Sequence, residues 1–95
     1  MFVVALRFSA NKAQAPALVE AHNEWIRRGF EDGVFLMTGS LKPGLGGMVL
    51  AHGVTRIDLE TRVNSDPFVA ENVVSAEILE IAPGRADERL AFLLS

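Results

Sequence analysis

The chain has 95 residues, no cysteine and a formal net charge of −3. That length corresponds to one domain, and the absence of cysteine excludes disulfides, thiolate metal sites and thiol nucleophiles. A hydrophobic content of 49% is too high for a disordered chain, yet no run approaches the ~18 apolar residues that span a bilayer, and no basic tract marks a nucleic-acid surface.

The first element expected is a strand over residues 2–8. Phe2, Val4, Leu6 and Phe8 share one face, and Val3, Ala5 and Arg7 share the other. Arg7 interrupts this apolar opening and no basic segment precedes it, so no signal peptide is expected and the cytoplasm is the expected location. Residues 14–31 read as a helix with Pro16 in its first turn. Leu18, Ala21, His22, Trp25, Ile26 and Gly29 recur at helical spacing as one buried stripe. Glu20, Glu24, Arg27 and Arg28 fall mainly outside it, and Gly33 is the expected stop. A second strand follows over 34–41, with Gly39 inside it predicting a bulge or a close backbone approach. Pro43, Gly44, Gly46 and Gly47 make a turn, and a third strand over 48–52 closes an antiparallel hairpin.

Thr55 is the expected N-cap of a short helix reaching about Asn64, with Leu59 and Val63 on its buried side. Ser65-Asp66-Pro67 breaks it, because Pro67 disfavours helical backbone at Asp66. A fourth strand spans 73–82 and ends at Pro83-Gly84. Residues 86–94 form a short terminal helix whose apolar side, with Leu90, Phe92, Leu93 and Leu94, needs cover. The order β-α-β-β-α-β predicts a ferredoxin-like α+β fold: a four-stranded antiparallel sheet with two helices on one face. The strands are apolar on both faces, so the expected cover of the open face is a second copy of the chain, as a homodimer.

His22 is the most informative residue, because an imidazole on an apolar helix stripe needs a partner for its N–H. A backbone carbonyl would make it a core histidine; a carboxylate would make it reactive. Asp66 is the candidate carboxylate, although an Asp before Pro also serves turns and caps. Side by side, the two would form a general acid/base pair, the carboxylate holding the ring in one tautomer and stabilising its charged form. Arg7 is a candidate for holding an oxyanion of a ligand, or an interface arginine with a packed stem. Ser40 is a candidate pocket hydroxyl, and Trp25 and Phe68 are core or pocket-wall aromatics that would border a ligand. His52 reads as a surface or interface histidine. No HxH or HxxxH spacing supports a metal site, and Gly44-x-Gly46-Gly47 lacks the strand-to-helix setting and the lysine of a phosphate loop. No cofactor is expected.

The helix carrying His22 and Trp25, Gly33 before an apolar strand, Gly39-Ser40-Leu41, the glycine turn and Asp66-Pro67-Phe68 before the last strand together resemble the YCII (YciI-like) family over nearly the whole chain. That resemblance implies a dimeric α/β barrel and a His–Asp site, whose matching positions are His22 and Asp66. One departure stands out: the family commonly has Gly-Pro-Leu where this chain has Gly39-Ser40-Leu41, so Ser40 adds a backbone N–H and a hydroxyl. The expected function is a small-molecule enzyme that transfers protons, in elimination or isomerisation, with His22 as acid/base and Asp66 orienting it. The alternatives are a ligand-binding or accessory module on the same dimeric fold, and an interaction domain in which the pair is a buried polar tie.

Overall fold

Alternation of period two carries β1 (Phe2–Phe8) across the middle of the sheet. The computed structural model describes residues 1–94. The chain continues through α1 (Ala15–Glu31), β2 (Phe35–Leu41), β3 (Gly46–Ala51), α2 (Arg56–Asn64), a four-residue α3 (Pro67–Ala70) and β4 (Val74–Glu80). The strands pair in the order β2-β3-β1-β4, and every neighbouring pair is antiparallel. This is the ferredoxin-like α+β topology expected from the element order.

The helices α1, α2 and α3 lie on the face of the sheet that carries Val4, Leu6, Val49 and Val74, and the core forms there around Trp25, Leu59, Val63 and Phe68. Trp25 Nε1 donates to the Arg62 carbonyl at 2.9 Å, which ties α1 to α2 and satisfies the indole in an otherwise apolar setting. Gly29 is where α1 closes on β2: a Cβ there would lie 2.0 Å from the Phe35 ring. Gly33 ends the helix in the left-handed region, φ +73°. Thr55 caps α2 as the sequence predicts, its Oγ1 accepting from the Asp58 amide at 3.1 Å.

Local departures from the expected elements have physical causes. A 3₁₀ turn at Lys12–Gln14 leads into α1, which begins at Ala15. Asp66-Pro67 ends α2 but also starts α3, since proline suits a first helical position and Asp66 supplies the cap. The register shift in β2 falls between Phe35 and Met37 rather than at Gly39. β4 is shorter than the apolar run over 73–82, because its partner β1 begins at Phe2 opposite Glu80. Residues Glu88–Leu94 form 3₁₀ turns kinked at Leu90, not an α-helix. Among the described residues, no helix is long and apolar enough to cross a membrane.

Candidate functional site

The site is assembled by the short segment Asp66-Pro67-Phe68. Asp66 is completely buried, and its Oδ1 accepts from the Phe68 amide at 3.0 Å, capping α3. The same oxygen lies 2.8 Å from His22 Nδ1 on α1. With the carboxylate ionised it can only accept, which puts the hydrogen on Nδ1 and leaves the lone pair of a neutral ring on Nε2. Nε2 makes no hydrogen bond among the described residues.

The cap also sets the stacking. α3 presents the Phe68 ring parallel to the His22 ring, with centroids 3.9 Å apart and planes 4° apart. Trp25 flanks the imidazole from its other neighbourhood at 5.9 Å. A hydrogen-bonded Nδ1 and a stacked face together fix both the rotation and the tilt of the ring. The His22 side chain retains 14% exposure, so the buried pair still reaches solvent. Asp66 Oδ2 is buried with no hydrogen-bond partner among the described residues. A buried orphan acceptor weakens the fold, so Asp66 is not arranged for stability alone.

His22 opens onto a cleft of about 320 Å³ between the helices and the sheet. Its walls include Leu6, Phe8, Ile26 and Val74, and the hydroxyl residues Thr38 and Ser40 line it from β2. Ser40 stands opposite Gly47 and Thr38 opposite Val49, so both belong to the helix-facing side of the strand. Gly46 keeps β3 close to β1 at the cleft's end: its φ is +134°, and a Cβ there would sit 2.0 Å from the Leu6 carbonyl oxygen.

Of the six residues singled out from the sequence, four meet here: His22, Asp66, Phe68 and Ser40. Arg7 does not line the cleft. It stands opposite Gly46 and Ser75 on the open face of the sheet, and its guanidinium donates to Glu77 at 3.1 Å. The period-two alternation that sends Leu6 into the cleft sends Arg7 away from it. Trp25 does not line the cleft either; it supports His22 from within the core. Thr38 is a cleft residue that the sequence reading passes over. Its signal was its place two residues before Ser40, on the same strand face. His52 lies apart, edge-on to Phe92 at 5.4 Å. Among the described residues, no three His, Asp or Glu side chains cluster as metal ligands.

No protein-family model matches the chain, and no curated protein matches it in sequence. Its fold does match a solved enzyme, the 5-chloro-2-hydroxyhydroquinone dehydrochlorinase TftG of Burkholderia phenoliruptrix AC1100, in complex with 2,5-dihydroxybenzoquinone. The TM-score is 0.69 at 12% identity, over 88% of this chain and 96% of that one. At that identity the likeness shows the fold alone.

Proposed function

We propose that the protein is a small-molecule enzyme in which His22 moves a proton and Asp66 orients and charge-balances it. The observation that carries the reading is the 2.8 Å contact between Nδ1 and a fully buried carboxylate on a histidine that borders an apolar cleft. With Nδ1 occupied, Nε2 is the nitrogen left to take a proton from a substrate and return it elsewhere. Asp66 offsets the positive charge of the imidazolium formed in between. The chain offers no cysteine, and no serine–histidine hydrogen bond is present among the described residues. Proton abstraction followed by elimination or isomerisation therefore fits better than covalent catalysis. The solved dehydrochlorinase of like fold performs an elimination, which agrees with this class without assigning its substrate here. The protein's form in this reading is a homodimer joined through the open sheet face.

A panel of simple compounds tests this without the natural substrate in hand. Small cyclic ketones and phenols are incubated with the protein in D₂O, and deuterium incorporation or elimination is followed by NMR. The expected result is turnover that falls by about 10²–10⁴-fold in His22→Gln while the circular dichroism spectrum is kept. Turnover that survives in folded His22→Gln removes His22 from the mechanism. Compounds that bind in the cleft without exchange in the intact protein would favour the accessory binding module.

A further inference from the structure

The charges around the cleft restrict what it can take. No lysine, arginine or glutamate lines it among the described residues. Arg7, the cation that the sequence offers for holding an oxyanion of a ligand, is on the far face of the sheet and paired with Glu77. The Lys12 ammonium lies 4.7 Å over the ring of Phe8, and Lys12 is itself outside the lining. The ionisable pair at the cleft, His22 with Asp66, sums to zero when the imidazole is protonated and to minus one when it is neutral. With the carboxylate ionised it is positive in neither state. An anionic substrate would therefore leave water for apolar walls without a counter-charge, and a cationic one would find no carboxylate on the lining, since Asp66 is completely buried and its Oδ1 already accepts from His22 and Phe68.

The polar groups left over are hydroxyls. Thr38 and Ser40 sit two residues apart on one face of β2, and neither side chain makes a hydrogen bond among the described residues. A hydroxyl both donates and accepts, so the pair suits a carbonyl or hydroxyl oxygen without requiring charge on it. The volume, about 320 Å³, lies at the small end of ligand sites and fits a single ring.

We infer that the cleft selects uncharged, single-ring molecules bearing a carbonyl or hydroxyl oxygen, and that Thr38 and Ser40 are the residues that hold that oxygen. This rests on the reading of the cleft as His22's substrate site. In that arrangement the ring lies among the apolar walls, its oxygen meets the two hydroxyls, and the proton to be moved faces the imidazole. Developing negative charge on the held oxygen is met by the same two donors. Thr38 and Ser40 thus set specificity, and they polarise the substrate only while it is bound.

The inference is tested by binding rather than turnover, with three matched probes: resorcinol, 3-hydroxybenzoate and 3-hydroxybenzylammonium. Binding is followed by the ¹⁵N and ¹H shifts of the His22 ring and the Thr38 methyl group. Resorcinol is expected to bind at least about tenfold more tightly than either charged probe. The double variant Thr38→Val, Ser40→Ala is expected to weaken resorcinol by about tenfold, the loss of two neutral hydrogen bonds. The Nδ1–H signal of His22 should stay in place in that variant, which shows that the cleft has kept its form. Three results overturn the inference: no resorcinol binding at millimolar concentration, unchanged resorcinol affinity in the double variant, or a charged probe binding as tightly as resorcinol. Tight 3-hydroxybenzoate binding that Lys12→Met abolishes would assign the cleft to anions held from its rim. These outcomes leave the role of His22 untouched, since that reading stands or falls on turnover in His22→Gln.

Discussion

Asp66 performs three tasks with one oxygen: it accepts from His22 Nδ1, caps α3 and, through that cap, sets Phe68 against the imidazole. Replacing it by alanine removes an N-cap, worth about 1 kcal/mol, and leaves the partly buried Nδ1–H without its acceptor, worth about 1–3 kcal/mol more. The sum expected from urea unfolding of Asp66→Ala is about 2–4 kcal/mol. Asp66→Asn separates the tasks. Its amide oxygen can still accept from both the Phe68 amide and His22 Nδ1–H, so the cap and the tautomer survive, but the negative charge behind the ring is gone. The expected outcome is a small stability change with ¹⁵N shifts that keep the neutral ring as Nδ1–H, while turnover falls because the imidazolium has lost its charge balance. A ring redistributed between its two tautomers in Asp66→Asn would show that the charge of the carboxylate, not the position of Oδ1, selects Nδ1–H. Asp66 also shows where sequence reading reaches and stops. Both of its readings, cap and carboxylate partner, come from residue type and neighbours. That a single Oδ1 serves both at once depends on α3 docking beside α1, which no local pattern encodes.

At the scale of elements, α1 is held from both sides by different physics. Its inner side closes at Gly29, where any Cβ would collide with Phe35. Gly29→Ala therefore has two opposed effects. Alanine favours helix by about 1 kcal/mol, while overpacking at this contact costs about 1–3 kcal/mol. The ring is the side chain of a buried strand residue, so the steric cost wins, and a net loss of up to about 2 kcal/mol is expected in denaturant unfolding. On the outer side, Arg27 bonds Glu24 and Glu31. The Arg27 hydrogen bonds hold the Glu24 carboxyl below the usual carboxylate range. A carboxyl whose value falls on folding contributes fully above its unfolded value, and the contribution is lost as pH falls through the lowered one. An NMR titration should find Glu24 below the ordinary glutamate range, and Arg27→Ala should return it there. Both groups are exposed, so the effect on global stability is small. The helices and strands were legible because their lengths carry several periods of 3.6 or two. α3 was not: four residues hold barely one turn, and Pro67 reads as a breaker as readily as a first helical residue. Arg7 was misplaced in the opposite way, since its alternation with Leu6 already put it on the face away from the cleft.

At the scale of the whole molecule, the sheet has a covered face and a bare one. α1, α2 and α3 close over Val4, Leu6, Val49 and Val74, while Val3, Met48, Leu50 and Leu79 belong to the other side. Leu79 is 47% exposed and Met37 on β2 is 51% exposed. Val3 stands directly opposite both Leu50 and Leu79 across three neighbouring strands, so these apolar side chains form a continuous band rather than scattered residues. Arg7 and Glu77 close one end of the band with an exposed ion pair, which contributes little to folding of a single copy, typically about 0–1 kcal/mol. An apolar centre with a charged margin is the composition of an interface, and we propose that two copies join here, sheet against sheet about a two-fold axis. The two-fold operation requires the patch to match itself. It does so easily where the centre is uniformly aliphatic and the two charges at the margin are of opposite sign. Leu50 lies on β3, beside the central β1, so Leu50→Glu would place two carboxylates in the middle of the joint. Burying an unpaired carboxylate costs more than the association of a standard-size interface can absorb. Multi-angle light scattering at micromolar concentration is therefore expected to give twice the chain mass for the native protein and the single chain mass for Leu50→Glu. The helix-facing core is untouched by that change, so the His22–Asp66 contact should persist in the monomer. A native protein that already runs as a monomer would sink the proposal and leave the bare face as ordinary surface.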